Sequence, residues 1–589
     1  MSEGRLLRRL LLASLLLRLV VWIPVAHYHV PAVFDETGYA ARARAYGACA
    51  AALLRGRAPA PADAAAAYDG GFQPPLHPLL LGLWGLPGGG RLGWLRLWPV
   101  LLTALATPLV WRLGRRLAGR RAAAAAAGLH LLSPTVTFYS HTLWSEPLFT
   151  LLLLAGADRL LAARDRHRDG ASAARPAALA GLLLGLAAVT RVEGLVALAA
   201  AAAWAGWRML PRRALLAPLL LAGLLPVAAW EGALLAREGR PAPLTTSGGF
   251  NLLLGNNPLV ATAAGSSWRD DAALPVLRRQ VAAAADSLGV PPDVAARRLA
   301  AADVARRPGR AALRMLARWR LFWSPDLFPA RHVAQVVYPP LPDGALPAVW
   351  LATTFCFLLT LALALDGLLR GLVRERSLLL GAAAALMLPA SLAIAMSRLH
   401  FPVLVLWLPA AGAALAARVA PVRAGGRPRR LLWWEAALIG LALAVSLSAV
   451  PVQLRRQLGP SWSVHRVLDR VAARWAPGLV YRDLVMLRPV AAGDETAPAD
   501  RDTAAAWTVT AGGDTVRWRP GATPWLPVVV TAPVGGTPRL TVSGPAGDSA
   551  GETLSWQPVR RDAWQRWRPV PAGAGTAGPR LEYRWAGGV

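Results

Sequence analysis

The chain contains no lysine and only two cysteines, Cys49 and Cys356. The first absence makes all 64 basic residues arginine. The second excludes a disulfide framework and a CxxC metal site. Charge is scarce, at 16% of residues against the roughly 25% usual in soluble globular proteins. Acidic residues number only 33, which leaves a net charge of +31. This composition, with 55% apolar residues and a mean hydropathy of +0.39, excludes intrinsic disorder and a small secreted scaffold. It also argues against the several soluble domains that 589 residues would otherwise hold. What the sequence has in abundance is long apolar runs, so it reads as a polytopic α-helical membrane protein. A strong positive balance suits nucleic acid or anionic lipid as partner, and the positions of the arginines decide between them.

Crossing a bilayer core takes runs of ~17–25 apolar residues. Eleven lie between arginine-rich breaks, near 6–26, 92–112, 122–140, 146–163, 177–190, 193–207, 214–236, 346–369, 377–396, 401–418 and 431–450, the fifth and sixth being short. Arginines in short loops face the cytoplasm. Arg5, Arg8 and Arg9 precede the first run, and Arg112, Arg115, Arg116, Arg120 and Arg121 follow the second. Alternation then places the basic breaks 164–175, 208–213, 370–376 and 418–430 on that same face. Most arginines thus serve as topological anchors, which leaves the lipid bilayer and not nucleic acid as the partner.

The opposite face receives 27–91, the turns near 141–145 and 191–193, the segment 237–345, the turn 397–400 and the tail 451–589. In a bacterial cell the expectation is a multi-pass inner (plasma) membrane protein with a cytoplasmic N terminus. No small-x-small cleavage site follows the first run before Phe34, so an uncleaved span is expected there. Residues 1–450 form the transmembrane domain, with 27–91 as its first outer loop and 237–345 as an outer helical segment. Segment 36–56 reads as a surface helix, and 74–90, which starts at Pro74-Pro75 and ends in Pro87-Gly88-Gly89-Gly90, as an interfacial or re-entrant piece. In 308–323, Arg310, Arg314, Arg318 and Arg320 mix with Leu313, Leu316, Trp319 and Trp323, which suits a helix in the headgroup layer. From about 478, short strand-like runs such as Trp507–Thr510 and Pro527–Thr531 alternate with Gly/Pro turns. The tail 451–589 is therefore read as an extracytoplasmic β-sandwich-like domain.

Chemistry-bearing residues gather on the expected outer face. In Phe34-Asp35-Glu36-Thr37-Gly38-Tyr39, two consecutive carboxylates sit at the membrane surface. Partial desolvation raises the basicity of such a group, as a general base requires; Asp35 and Glu36 in a helix N-terminal turn is the structural alternative. Glu146, in Ser140-His141-Thr142-Leu143-Trp144-Ser145-Glu146-Pro147, enters an apolar helix and so is a functional candidate, although Ser-Glu-Pro is also a good helix start. Arg191 with Glu193, Arg331 with His332, and Arg398 with His400 lie beside membrane helices. Guanidinium suits bidentate phosphate binding, while snorkelling to the headgroups is its structural alternative. An Arg191–Glu193 pair two residues apart requires a non-helical break. Arg18, inside the first run, is expected to face the bundle. Carboxylates and cations converging on one membrane surface suit transfer from a lipid phosphate.

These residues resemble a known family. Asp35-Glu36…Tyr39…Ala40…Gly56 is similar to the first-loop motif of the GT-C glycosyltransferases, in particular the bacterial protein O-mannosyltransferase and aminoarabinose-transferase-like members. Gln73-Pro74-Pro75-Leu76-His77 resembles their following "PPL" segment, Thr245–Asn251 with Gly255-Asn256-Asn257-Pro258 their Gly/Asn loop, and Ser397-Arg398-Leu399-His400-Phe401-Pro402 their "R.R.P" element. The resemblance runs over roughly residues 5–420 and implies a GT-C-like helical fold. It further implies an inverting membrane transferase that takes a sugar from a polyprenyl-phosphate donor on the outer face.

By position, Asp35 would be the base, Glu36 its partner, and Glu146 would stand where the family has a second acidic residue. Some relatives contact the donor phosphate with a lysine before the prolines. Here Gln73 takes that place, so Arg398, Arg191 or Arg331, with His400, would supply the charge. Tyr39, Gln73, His77, His141, Asn251 and Asn256 complete the expected substrate pocket. Some relatives use a divalent cation, but the sequence has no compact ligand cluster. The acceptor, whether lipid, polysaccharide or protein, is not specified. The alternative reading is a lipid-linked-sugar flippase without transferase activity, which predicts inverted repeats and mid-membrane polar residues.

Overall fold

The helices run into the arginine-rich breaks: Glu3–His27 begins before Arg5, Leu97–Ala118 contains Arg112, Arg115 and Arg116, and Glu146–Arg168 ends on Arg168. The computed structural model describes residues 3–28, 30, 35–208, 215–239, 241, 244–257, 261–262, 265–266, 273–334, 345–419 and 431–450, together with the strands named below. The chain divides into two units. One comprises Met1–Trp268, Leu277–Asp326 and Leu351–Ala449; the other comprises Arg269–Val276, Leu327–Trp350 and Val450–Val589.

The first unit is helical. Among the described residues, Glu3–His27, Leu92–Ala118, Leu216–Glu238, Pro347–Leu369 and Ser397–Val419 are long and apolar enough to cross a membrane. A helix of 23 residues is about 34 Å long, against a hydrocarbon core of about 30 Å. Length and composition therefore make this a helical membrane protein. They mark fewer crossings than the apolar runs suggested, because Ala174–Ala188, Arg376–Leu392 and Trp433–Ser448 have only 15, 17 and 16 residues.

The run 122–140, expected as one span, breaks into Arg120–Leu132 and Pro134–Tyr139. Pro134 lacks an N–H and disfavours a helical conformation at Ser133, whose Oγ caps the second helix by accepting from the Val136 N–H at 3.3 Å. The break leaves carbonyls without intrahelical partners. Arg18, buried in the bundle as expected, satisfies them by donating to Leu131 O and His130 O, both at 3.0 Å, and to Thr137 Oγ1 at 3.1 Å.

Glycine sets one tight crossing. A Cβ on Gly181 or Gly185 of Ala174–Ala188 would fall 1.9 Å from Leu219 O or 2.0 Å from Gly223 O of Leu216–Glu238, the close backbone approach that small residues permit.

Charged groups form a band that starts midway along the Glu146–Arg168 helix and runs toward its end. Buried Asp158 accepts from Arg112 at 2.8 Å and Arg116 at 3.0 Å, and also pairs with Arg159. Arg116 reaches Asp165 at 2.7 Å, Arg164 joins Asp165 at 2.7 Å to Glu375 at 2.8 Å, and Arg208 meets Glu375 at 3.0 Å. The band ties Leu97–Ala118, Glu146–Arg168 and Glu193–Arg208 to the turn before Arg376–Leu392.

In the second unit, strands Val480–Val490, Leu526–Pro533, Arg566–Trp567 and Arg580–Trp585 pair antiparallel in one four-stranded sheet. Trp507–Ala511, Asp514–Trp518, Arg539–Ser543 and Glu552–Ser555 pair antiparallel in another, with Val509 opposite both Val516 and Val542.

Candidate active site

The Asp35–Leu54 helix opens with two carboxylates in its first turn, and they have different surroundings. Glu36 is 1% exposed; its Oε2 accepts from Arg96 Nη2 at 3.1 Å and its Oε1 from the Leu143 N–H at 2.7 Å. Arg96 also donates to the Val30 carbonyl. The Leu143 carbonyl in turn accepts from His77 Nε2 at 3.0 Å. Both backbone groups of Leu143 are thus held by the first loop, which fixes the turn leading to Glu146. Burial pulls His77 down to about 4, against a smaller upward effect from the Leu143 carbonyl, so the ring is neutral near pH 7. Its edge meets the Tyr39 ring at 4.9 Å. Tyr39 lies one helical turn after Asp35, on the same face.

The second wall of the site is the break between Ala174–Ala188 and Glu193–Arg208. Here the Arg191 N–H donates to Ala187 O at 2.9 Å and the Gly194 N–H to Arg191 O at 2.9 Å. A Cβ on Gly194 would sit 2.4 Å from the Ala187 carbonyl carbon. The break lets Arg191 and Glu193 pair at 3.1 Å although they are two residues apart. Arg191 Nη1 donates to Glu146 Oε1 at 2.9 Å and to Ser145 Oγ at 3.1 Å. Ser145 Oγ also accepts from the Tyr39 hydroxyl at 3.2 Å. Burial opposes the Arg191 charge, but Glu193 and Glu146 outweigh it and hold the guanidinium above its ordinary value. Burial raises Tyr39, which keeps it a donor.

The third wall is the 3₁₀ turn Ser397–His400. Arg398 Nη2 lies 2.5 Å from Asp35 Oδ2, and Arg398 Nε lies 3.5 Å from Glu146 Oε1. Its guanidinium stacks over the Trp144 ring at 4.9 Å. One carboxylate oxygen of Glu146 therefore faces two guanidinium groups. The Glu146 side chain is 1% exposed, those of Arg191 and Arg398 are 15% and 16%, and that of Asp35 is 41%; the cluster opens toward Asp35.

A narrow cleft beside the cluster is lined by Glu146, Phe149, Arg191, Glu193, Leu386, Leu399 and Pro402. Further along these helices a second cleft is bordered mainly by apolar side chains, among them Leu153, Leu160, Ala201, Trp204 and Leu406.

The other expected residues have different partners. Arg42 donates to Gln73 Oε1 at 3.4 Å and Gln73 O at 3.3 Å, so a buried arginine adjoins Gln73. His141 Nδ1 bonds Thr137 O at 3.0 Å, and burial pulls the ring down to about 3. His400 Nδ1 bonds the Phe322 carbonyl, and its ring stacks on Trp323. Asn256 Nδ2 donates to Leu252 O and Leu392 O, both at 2.8 Å, while Arg318 contacts Gly255 O and Asn256 Oδ1. Half-buried Asn251 lies on the same Gly248–Asn256 helix. Arg331 and His332 belong to the second unit, on Phe328–Ala334, where Arg331 lies over the Phe328 ring.

Sequence reasoning missed Ser145, Trp144, Arg96 and Arg42. Arg96 and Arg42 carried a readable signal, an arginine flanked by apolar residues; Ser145 and Trp144 carried none beyond their place beside Glu146. Among the described residues, no group of three or more His, Cys, Asp or Glu side chains is placed to hold a metal ion. Asp35 and Glu146 both face guanidinium groups, a setting that does not fit a divalent cation.

No protein-family model and no curated protein sequence matches the chain. Two solved structures align with it. The archaeal oligosaccharyltransferase AglB from Archaeoglobus fulgidus, in complex with an inhibitory peptide and a dolichol-phosphate, is 16% identical over 68% of this chain and 51% of its own, at a TM-score of 0.32. The Archaeoglobus fulgidus oligosaccharyltransferase tethered to an acceptor peptide containing the NVT sequon is 15% identical over 69% and 49%, at a TM-score of 0.29. The alignments thus span about half the length of each of these structures.

Proposed function

We propose that this chain is a membrane glycosyltransferase that moves a sugar from a polyprenyl-phosphate donor to a hydroxyl or amine acceptor, with inversion, at the outer face of a bacterial inner membrane. The observation that carries this reading is the convergence of Arg191 and Arg398 on Glu146 Oε1, with Asp35 beside them, next to space between apolar helices. Guanidinium pairs bind phosphate oxygens, apolar side chains lining the neighbouring cleft suit contact with a prenyl tail, and the open side of Asp35 leaves a carboxylate within reach of an acceptor.

In the proposed reaction the acceptor oxygen or nitrogen attacks the anomeric carbon while its proton passes to Asp35. The bond from that carbon to the phosphate oxygen breaks, and its electron pair leaves on the phosphate. Arg191 and Arg398 stabilise the added negative charge, which is preorganised electrostatic work. Tyr39 and Ser145 orient Arg191. Glu36 holds the Leu143 turn and takes no proton. In this reading residues 451–589 form a β-sandwich-like accessory domain.

A flippase would line a mid-bilayer path with polar groups, whereas Asp35, Glu146 and Arg398 all lie at helix ends. The test is to incubate the purified protein with a panel of polyprenyl-phosphate sugars and candidate lipid, polysaccharide and protein acceptors. Consumption of one donor with release of polyprenyl phosphate is expected; no consumption of any donor overturns the reading.

A further inference from the structure

We propose that Asp35 and the donor phosphate compete for Arg398, so that the base is released only when the donor binds. The inference rests on the donor reading above. It starts from charge: Asp35, Glu146 and Glu193 bring three carboxylates to two guanidinium groups, Arg191 and Arg398. An incoming phosphate adds more negative charge, so one carboxylate must yield its place.

Asp35 is the one built to yield. Its side chain is 41% exposed, against 1% for Glu146 and 21% for Glu193. It meets Arg398 at Nη2, while Glu146 Oε1 lies toward Nε and the Trp144 ring supports the guanidinium plane. Arg398 can therefore change partner at Nη2 and stay anchored elsewhere. A carboxylate paired with a guanidinium is held in its charged form and is a poor proton acceptor; freed, it regains basicity. The consequence is a compulsory order in which donor precedes acceptor.

The test measures binding of farnesyl phosphate, a sugar-free probe, to the full-length protein in nanodiscs. Asp35→Asn should lower its Kd roughly threefold to tenfold, the scale of a partly exposed to partly desolvated charge pair, while Asp35→Glu, which keeps the charge, should bind as the wild type does. In Arg398→Ala and Arg398→Lys backgrounds the Asp35→Asn gain should shrink. Unchanged or weaker binding by Asp35→Asn overturns the competition. An equal gain in the Arg398→Ala background also overturns it, since loss of a like charge would then suffice. A wild type that binds no farnesyl phosphate overturns the donor reading itself and the competition with it.

Discussion

At the scale of single residues, Glu146 and Asp35 divide the electrostatic work. Glu146 is fully desolvated and shared by two arginines, so it fixes where positive charge stands. Asp35 is exposed, and its removal disturbs little packing. Asp35→Asn is expected to abolish sugar transfer, a loss of at least ~100-fold for a general base, while costing under about 1 kcal/mol of stability because the pair is partly exposed. Turnover together with a melting curve checks both, and normal turnover removes Asp35 as the base.

His77 yields a pH prediction. Its folded-state value of about 4 lies below the ordinary 6.5, so between these values the unfolded chain takes up the proton first. Stability is therefore complete above about pH 6.5 and declines as pH falls toward 4, by on the order of 2–3 kcal/mol. Melting temperature against pH should show this decline, and His77→Gln should make it shallower without removing it, because buried His141 takes up its proton late in the same way. Asp35 and Glu146 were legible as candidates in the sequence because each is a carboxylate at the edge of an apolar run, although each also opens a helix, as the structural alternative had it. The Glu36–Arg96 pair was not, because 60 residues separate its members and nothing local announces it.

At the scale of elements, the turn between Ala174–Ala188 and Glu193–Arg208 aims Arg191, and it closes because Gly194 lets two backbones touch. Gly194→Ala must push the helices apart at a contact that is already 2.4 Å from an added Cβ. The expected outcome is a loss of ~100-fold in turnover from an Arg191 displaced by about 1 Å, in a protein that still inserts. Turnover within twofold of wild type would show that the turn does not position the arginine. The apolar runs were legible element by element, since length and arginine punctuation mark them directly; the expected 401–418 is the helix Phe401–Val419. The division of 122–140 could be read only by giving Ser133-Pro134 its full weight. The Arg18 cap that makes the break tolerable depends on a partner 113 residues away.

At the scale of the whole molecule, the helical unit contains every group used in the proposed chemistry, and the strands of the second unit contain none. Removing 455–589 is expected to leave donor consumption intact in the purified protein. Loss of consumption by a truncated protein that inserts normally would make the tail part of the enzyme.

The arginine band starts at Asp158, about midway along Glu146–Arg168, and runs through Asp165 and Glu375 to the ends of that helix and of Glu193–Arg208 away from Glu146 and Arg191. Helices rooted at one end behave like the tines of a tuning fork, with amplitude growing with distance from the stem. For the prenyl-linked donor proposed above, entry between these helices would have to part the ion pairs that Arg191 and Arg398 make with Glu146 at the other end. Loosening the stem, by Asp158→Asn for instance, would blur the aim of a site roughly 18 Å away along its own helix without touching a single group in it.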